Sequence, residues 1–220
     1  MTAEDILAAG YAHVIIAVGA RWRIDGVGRY HWNPIKGYDL PNIYTPDDLM
    51  TGKSLAGQIL IYDDDHYYMG SVLAELLLQQ GCQVTLVTPA PSIAYWSQFT
   101  LEQEHIQKRL VNMGASLYPQ HLLQVIHDGD VTLSHTVTGA GVNLAADAVV
   151  LVTDRLPNDT LHKALKPASG AGKLDSLRVI GDAEAPNIIA QAVFSGHLAG
   201  REFEEILSES TPFRIERVEL

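Results

Sequence analysis

A single cysteine, Cys82, among 220 residues excludes a disulfide framework and leaves no thiolate set for zinc or an iron–sulfur cluster in this chain. Lying in a run that reads as a β-strand, it is expected to be a buried, inert thiol. Long apolar runs are lacking too: none reaches the roughly 20 residues that a membrane-spanning helix needs, and no cleavable leader is recognisable. The expectation is a soluble, cytoplasmic protein. Positive charge is scarce, with 15 Lys and Arg against 26 Asp and Glu and a net charge of −11. That balance argues against nucleic acid or an anionic membrane as partner, because both select basic patches; a basic protein surface would be complementary. What is present is ordinary globular composition, 47% hydrophobic and 19% charged, and no segment is read as disordered.

Metal-ligand spacing is absent as well. The nine histidines form no H-E-x-x-H pattern, and with one cysteine there is no C-x-x-C, so they are read as scattered surface and strand residues. Ser195-Gly196-His197 lacks the strand-turn-helix setting of a nucleophile elbow and is read as one turn of the last helix.

The most informative absence is a glycine turn. Residues 59–62 (Ile-Leu-Ile-Tyr) read as a buried strand, 71–80 as a helix and 82–88 as a second strand, the βαβ opening of a dinucleotide-binding domain. A working site joins strand to helix by G-x-G-x-x-G, because glycines admit the pyrophosphate to the backbone and to the helix N-terminus. Here the connection is Asp63-Asp64-Asp65-His66-Tyr67-Tyr68-Met69-Gly70. Carboxylates stand where phosphates would go, and at about 4 Å even a water-screened like-charge pair costs roughly 1 kcal/mol. Thr88-Pro89 occupies the place, about 20 residues on, where an acidic residue would bond a ribose. No NAD(P)H is expected to bind. The three aspartates are read as a helix cap in preference to a metal site, since the alternating ligands and closing Glu of an EF-hand are missing.

Around this unit the chain reads as a short helix over residues 2–9, with Thr2 as cap and Gly10 as stop, a buried strand at His13–Val18, and a loop over 23–46 rich in Gly and Pro. Further on come a helix at 101–113, strands near 115–118, 122–126, 131–137 and 147–152, a linker at 167–173, a strand at 177–180 and a final helix at 187–207. There are no internal repeats.

Two motifs bracket the βαβ unit: Val14-Ile-Ile-Ala-Val-Gly-Ala-Arg21 before it and Val179-Ile-Gly-Asp-Ala-Glu-Ala-Pro186 after it. The bracketing resembles flavoprotein disulfide reductases, in which an NAD(P)H domain is inserted between strands of an FAD domain. With Met1-Thr2-Ala3-Glu4-Asp5 and Phe99-Thr100-Leu101-Glu102, the chain resembles the C-terminal region of trimethylamine, dimethylamine and histamine dehydrogenases of the NADH:flavin oxidoreductase group. The resemblance implies an α/β fold: a Rossmann-like module, residues 53–171, inserted between the last strands of a partial FAD/ADP-binding domain, residues 1–52 and 172–220. It implies ADP in the FAD-like half, with Gly19, Ala20, Arg21, Gly181 and Asp182 as cofactor-binding residues and no catalytic residue. FMN and the 4Fe-4S cluster are expected only in a missing N-terminal part, so this fragment is expected to be inactive alone. The implied partners are the parent catalytic barrel domain and, in the full-length parent, electron-transferring flavoprotein. Strands 14–18 and 177–180, without the neighbours that the family supplies from before Met1, are expected to drive self-association or else to be the least protected segments of the fragment. The alternative is a remnant of an NAD(P)H-dependent flavin oxidoreductase such as 2,4-dienoyl-CoA reductase, which would need a phosphate-cradling turn.

Overall fold

The computed structural model describes residues 1–203. In chain order the elements are α1 (Ala3–Ala9), β1 (His13–Ile16), β2 (Ala20–Trp22), β3 (Ile43–Tyr44), α2 (Pro46–Met50), β4 (Gln58–Asp63), α3 (Met69–Gln79), β5 (Gln83–Val87) and α4 (Gln103–Asn112). There follow β6 (Ser116–Tyr118), β7 (His121–Ile126), β8 (Asp130–His135), β9 (Gly141–Ala145), β10 (Ala148–Val152), β11 (Arg155–Pro157), α5 (Thr160–Gly170), β12 (Ser176–Val179) and α6 (Ile189–Phe203). The fold is mixed α/β with a parallel sheet, and it divides into two compact units, Trp22–Arg155 and the pair of segments Met1–Arg21 and Leu156 onward.

In the larger unit five parallel strands lie in the order β3-β10-β4-β5-β6. The central strands are apolar on both faces, as a sheet covered on both sides requires. Ile59, Ile61, Val84, Leu86 and Val150 pack with Leu73, Leu77 and Leu110 of α3 and α4. Leu60, Tyr62, Val87, Val149 and Leu151 face Leu123, Val131 and Leu133 of the antiparallel sheet β7-β8-β9. Between β5 and α4 residues Tyr95–Thr100 form a 3₁₀ turn.

In the smaller unit β1 pairs in parallel with β12, Ile16 opposite Val179. Its core is Ile6, Ile16, Leu165 and Leu174. α1 starts with the capping box read from the sequence, Thr2 with Asp5, and stops at left-handed Gly10.

The division falls at 21/22 and 155/156, whereas the sequence reading placed the joints at 52/53 and 171/172. Packing explains the difference. Ile35 and Ile43 of the Gly- and Pro-rich stretch are buried with Tyr62 and Leu123, and Leu165 of α5 is buried with Ile6 and Ile16. Individual elements differ as well, and β3 (Ile43–Tyr44) lies inside the stretch read as a loop. The linker assigned to 167–173 is in large part the end of α5, with Pro167 inside the helix. The strand β9 was not anticipated, because its residues alternate only between exposed and half-buried. The last four residues of the final helix as read, 204–207, lie outside the described residues.

Candidate functional site

Two places carry the residues singled out by sequence, one in each unit. In the larger unit Asp63 ends β4 and leads directly into the acidic turn. Its carboxyl is fully buried, and Oδ1 accepts the N–H groups of Asp65 (3.1 Å) and His66 (3.0 Å). The N–H groups of Asp64 and Asp65 donate to the carbonyl of Val152 at the end of β10 (2.9 and 3.1 Å). The turn is thereby tied to two strands at once. His66 adopts a left-handed backbone, φ +66°, a conformation uncommon outside glycine; its carbonyl accepts the Trp96 N–H (2.9 Å).

The aspartates are not a helix cap, which corrects the sequence reading. α3 starts only at Met69, with Tyr68 at the cap position and no acidic residue in its first turn. Asp63 instead meets the helix through Gly70: a Cβ at residue 70 would lie 2.7 Å from the Asp63 carboxyl carbon. In a G-x-G-x-x-G turn, a glycine lets a phosphate reach the backbone. Here it admits the protein's own carboxyl.

Asp64 is also fully buried. Its Oδ2 accepts the Tyr30 N–H (3.0 Å) and its Oδ1 lies 3.2 Å from His66 Nε2. Gly28 packs so closely that a Cβ there would lie 2.5 Å from Asp64 Oδ2. The segment around Gly28–His31 is thus fastened over the turn. Asp65 is half-buried and faces Arg155 and Arg29, with Arg29 stacked on Trp96 (4.4 Å) and Arg155 on Trp22 (5.4 Å).

Burial governs the electrostatics. It raises the Asp63 carboxyl to about 7, opposed by the His66 N–H bond. Asp65 is also raised by burial, with Arg155 and Arg29 acting against it. Burial lowers His31, opposed by the charge of Asp64. Thr88 does not present its side chain to a ribose: it is buried, and its hydroxyl accepts the Ala90 N–H (3.3 Å). Sequence reasoning missed the meeting of His66 and Asp64. A polar run normally signals a solvated turn, and the left-handed His66 that turns the ring inward leaves no mark in composition. No group of three or more His, Cys, Asp or Glu suited to a metal occurs among the described residues. Cys82 is buried as expected, immediately before β5, with its thiol directed at the Leu55 carbonyl (3.3 Å) and raised by burial.

In the smaller unit the expected residues lie beyond the C-terminal ends of two adjacent parallel strands. The Ile180 N–H donates to the Ile16 carbonyl (3.0 Å), continuing the β1–β12 ladder. Past that point the chains turn, at Gly19 (φ +71°) and Gly181 (φ +61°). Gly19 has open space where a side chain would be, and its carbonyl accepts the Asn158 N–H (3.0 Å). Ala20 opens β2. Arg21 is exposed and close enough to Asp159 to help keep that carboxyl low, behind the larger effect of the Lys163 bond. Asp182 Oδ1 accepts the Asn187 N–H (3.2 Å). Gly19, Gly181 and Asp182 thus share one end of the strand pair, while the charged neighbour of Arg21 is on the α5 side.

Comparison with known proteins places the chain. A family profile described as the OYE-like second alpha/beta domain matches residues 44–161, more than half of it. The chain belongs to that family. Dimethylamine dehydrogenase of Hyphomicrobium sp. (strain x) is 35% identical over 229 residues, which covers 93% of this chain and 31% of that protein. Histamine dehydrogenase from Rhizobium sp. 4-9 superposes with a TM-score of 0.89 at 36% identity, over 100% of this chain and 35% of that one. The 6-hydroxypseudooxynicotine amine oxidase of Pseudomonas geniculata N1 gives a TM-score of 0.88 at 39% identity, over 91% and 30%. The chain spans about a third of the length of these relatives. No helix among the described residues is long and apolar enough to cross a membrane.

Proposed function

We propose that this chain is the nucleotide-fold accessory portion, C-terminal in its parent, of an amine dehydrogenase-like flavoenzyme, structural and without chemistry of its own. In this reading the larger unit is a Rossmann-like module that has given up its cofactor, and the strand ends at Gly19 and Gly181 are what the family uses for ADP. FMN, a 4Fe-4S cluster and delivery of electrons to electron-transferring flavoprotein belong to the rest of such an enzyme. The similarity to dimethylamine and histamine dehydrogenases along nearly the whole chain supports the parentage.

The observation that carries the functional reading is the Asp63 carboxyl seated against Gly70 and bonded to the Asp65 and His66 N–H groups. Those backbone donors and that glycine are the parts of a dinucleotide turn that would meet a pyrophosphate. They are already used. The residues therefore do not fit NAD(P)H, and the alternative of an NAD(P)H-dependent dienoyl-CoA reductase-like remnant loses its main requirement. The smaller unit does fit an adenine nucleotide: two left-handed glycines at neighbouring strand ends allow close backbone approach, in the crevice where parallel α/β sheets take ligands. Calorimetric titration tests both halves of the reading. NADH and NADPH are expected to give no saturable heat up to about 1 mM, and ADP to bind at the weak end, with Kd between roughly 10 μM and 1 mM. Micromolar binding of either nicotinamide nucleotide would overturn the first half, and absence of ADP binding the second.

A further inference from the structure

Ser195 belongs to the Ser-Gly-His run that has no place in a hydrolase, yet from α6 it bonds the turn after β12. Its Oγ accepts the Gly181 N–H at 2.8 Å and donates to the Ala192 carbonyl at 2.9 Å. The one hydroxyl thus both accepts and donates. The bond back to residue 192, one helical turn earlier, holds the hydroxyl on the helix face, and from there it fixes the direction of the Gly181 N–H. Gly181 also rests on α6 directly, since the position of a Cβ on it would lie 3.7 Å from Ala192 Cβ. One residue further on, Asp182 is held by the Asn187 N–H. The Gly181-Asp182 turn is therefore pinned on both sides, by a hydroxyl from α6 and by a backbone N–H of the segment leading into it.

We infer that Ser195 is a positioning residue for adenine-nucleotide binding: it holds the Gly181-Asp182 turn in the left-handed form that faces the end of β1. The inference rests on the assignment of ADP to these strand ends. Without the hydroxyl, a half-buried N–H loses its acceptor and the Gly181-Asp182 turn is free to leave its left-handed form. Ser195 itself need not touch the ligand.

The test compares the whole chain with Ser195→Ala and Ser195→Thr, each checked for folding by circular dichroism. ADP affinity is measured by equilibrium dialysis and Gly181 amide exchange by NMR. Loss of the bond in Ser195→Ala is expected to weaken ADP binding roughly fivefold to tenfold and to accelerate exchange at Gly181, and Ser195→Thr, which keeps a hydroxyl, to restore both. Ser195→Ala binding ADP within twofold of the unaltered chain would overturn the inference while leaving the ADP assignment standing. If the unaltered chain binds no ADP, the assignment itself falls, and this inference with it.

Discussion

Asp63 has both oxygens out of water, and only Oδ1 is provided with donors, from Asp65 and His66. Burial holds its carboxyl at about 7, against an ordinary value of 3.8. Between those values the folded chain keeps a proton that the unfolded chain releases, so stability is greatest below about pH 4 on this account and declines as pH rises through about 7. Three pH units correspond to an order of 4 kcal/mol. Asp63→Asn keeps a carbonyl oxygen for the two N–H groups and removes the ionisation. Urea unfolding at several pH values is expected to show the variant equal to the unaltered chain near pH 5 and more stable at pH 8, by about 1–3 kcal/mol. Parallel curves for the two proteins would show that Asp63 is not the group responsible.

At the scale of elements, Gly37 shows how the Gly- and Pro-rich stretch became part of the larger unit. The Ile126 N–H donates to the Lys36 carbonyl (2.8 Å), a bridge pairs Lys36 with Val125, and a Cβ on Gly37 would lie 2.1 Å from the Ile126 carbonyl oxygen, with φ at +91°. Gly37→Ala is expected to destabilise by roughly 3 kcal/mol or more, since both backbone strain and a clash with backbone arise. Gly129, with φ +89° and open space around it, supplies the control, and its Ala variant should cost only about 1 kcal/mol. Equal losses would mean that the close approach at Ile126 is unimportant. The same contrast explains what was legible beforehand. The βαβ unit could be read because Ile59–Tyr62 and Val84–Val87 are unbroken apolar runs bounded by polar turns, a signal that depends on residues close in sequence. The stretch 23–46 and α5 owe their places to distant partners, Tyr62 and Leu123 for Ile35 and Ile6 for Leu165, and their Gly and Pro content outweighed that in a local reading. At the turn, the run of aspartates was visible in the sequence, and the proposal that it disfavours a phosphate could be argued from charge alone. That Asp63 and Asp64 point inward depends on Gly28, Gly70 and left-handed His66, which no spacing rule combines.

For the molecule as a whole, the decisive feature is the smaller unit. β1 and β12 form a two-stranded parallel sheet, and parallel sheets are ordinarily covered on both faces and extended at both edges. Here Tyr11, Ile15 and Val18 are exposed beside a groove of about 530 Å³ along β1. Ile189 and Val193, one turn apart on α6, are exposed as well. Among the described residues β1 and β12 pair only with each other; a strand edge flanked by apolar side chains is a template for pairing with another chain, and a second copy brings the same edge. The net charge of −11 opposes association at low ionic strength, and salt screens that repulsion within roughly 10 Å at 0.1 M. The expected outcome is a scattering mass above that of a monomer at tens of micromolar, larger at 0.5 M salt than at 0.05 M. Amide exchange near 14–18 and 177–180 should slow as the association grows, while β4, β5 and β10, buried in the other unit, stay protected at every concentration. A monomer in high salt with both β1 and β12 already strongly protected would mean that the smaller unit closes its own core, and the edge argument would fail.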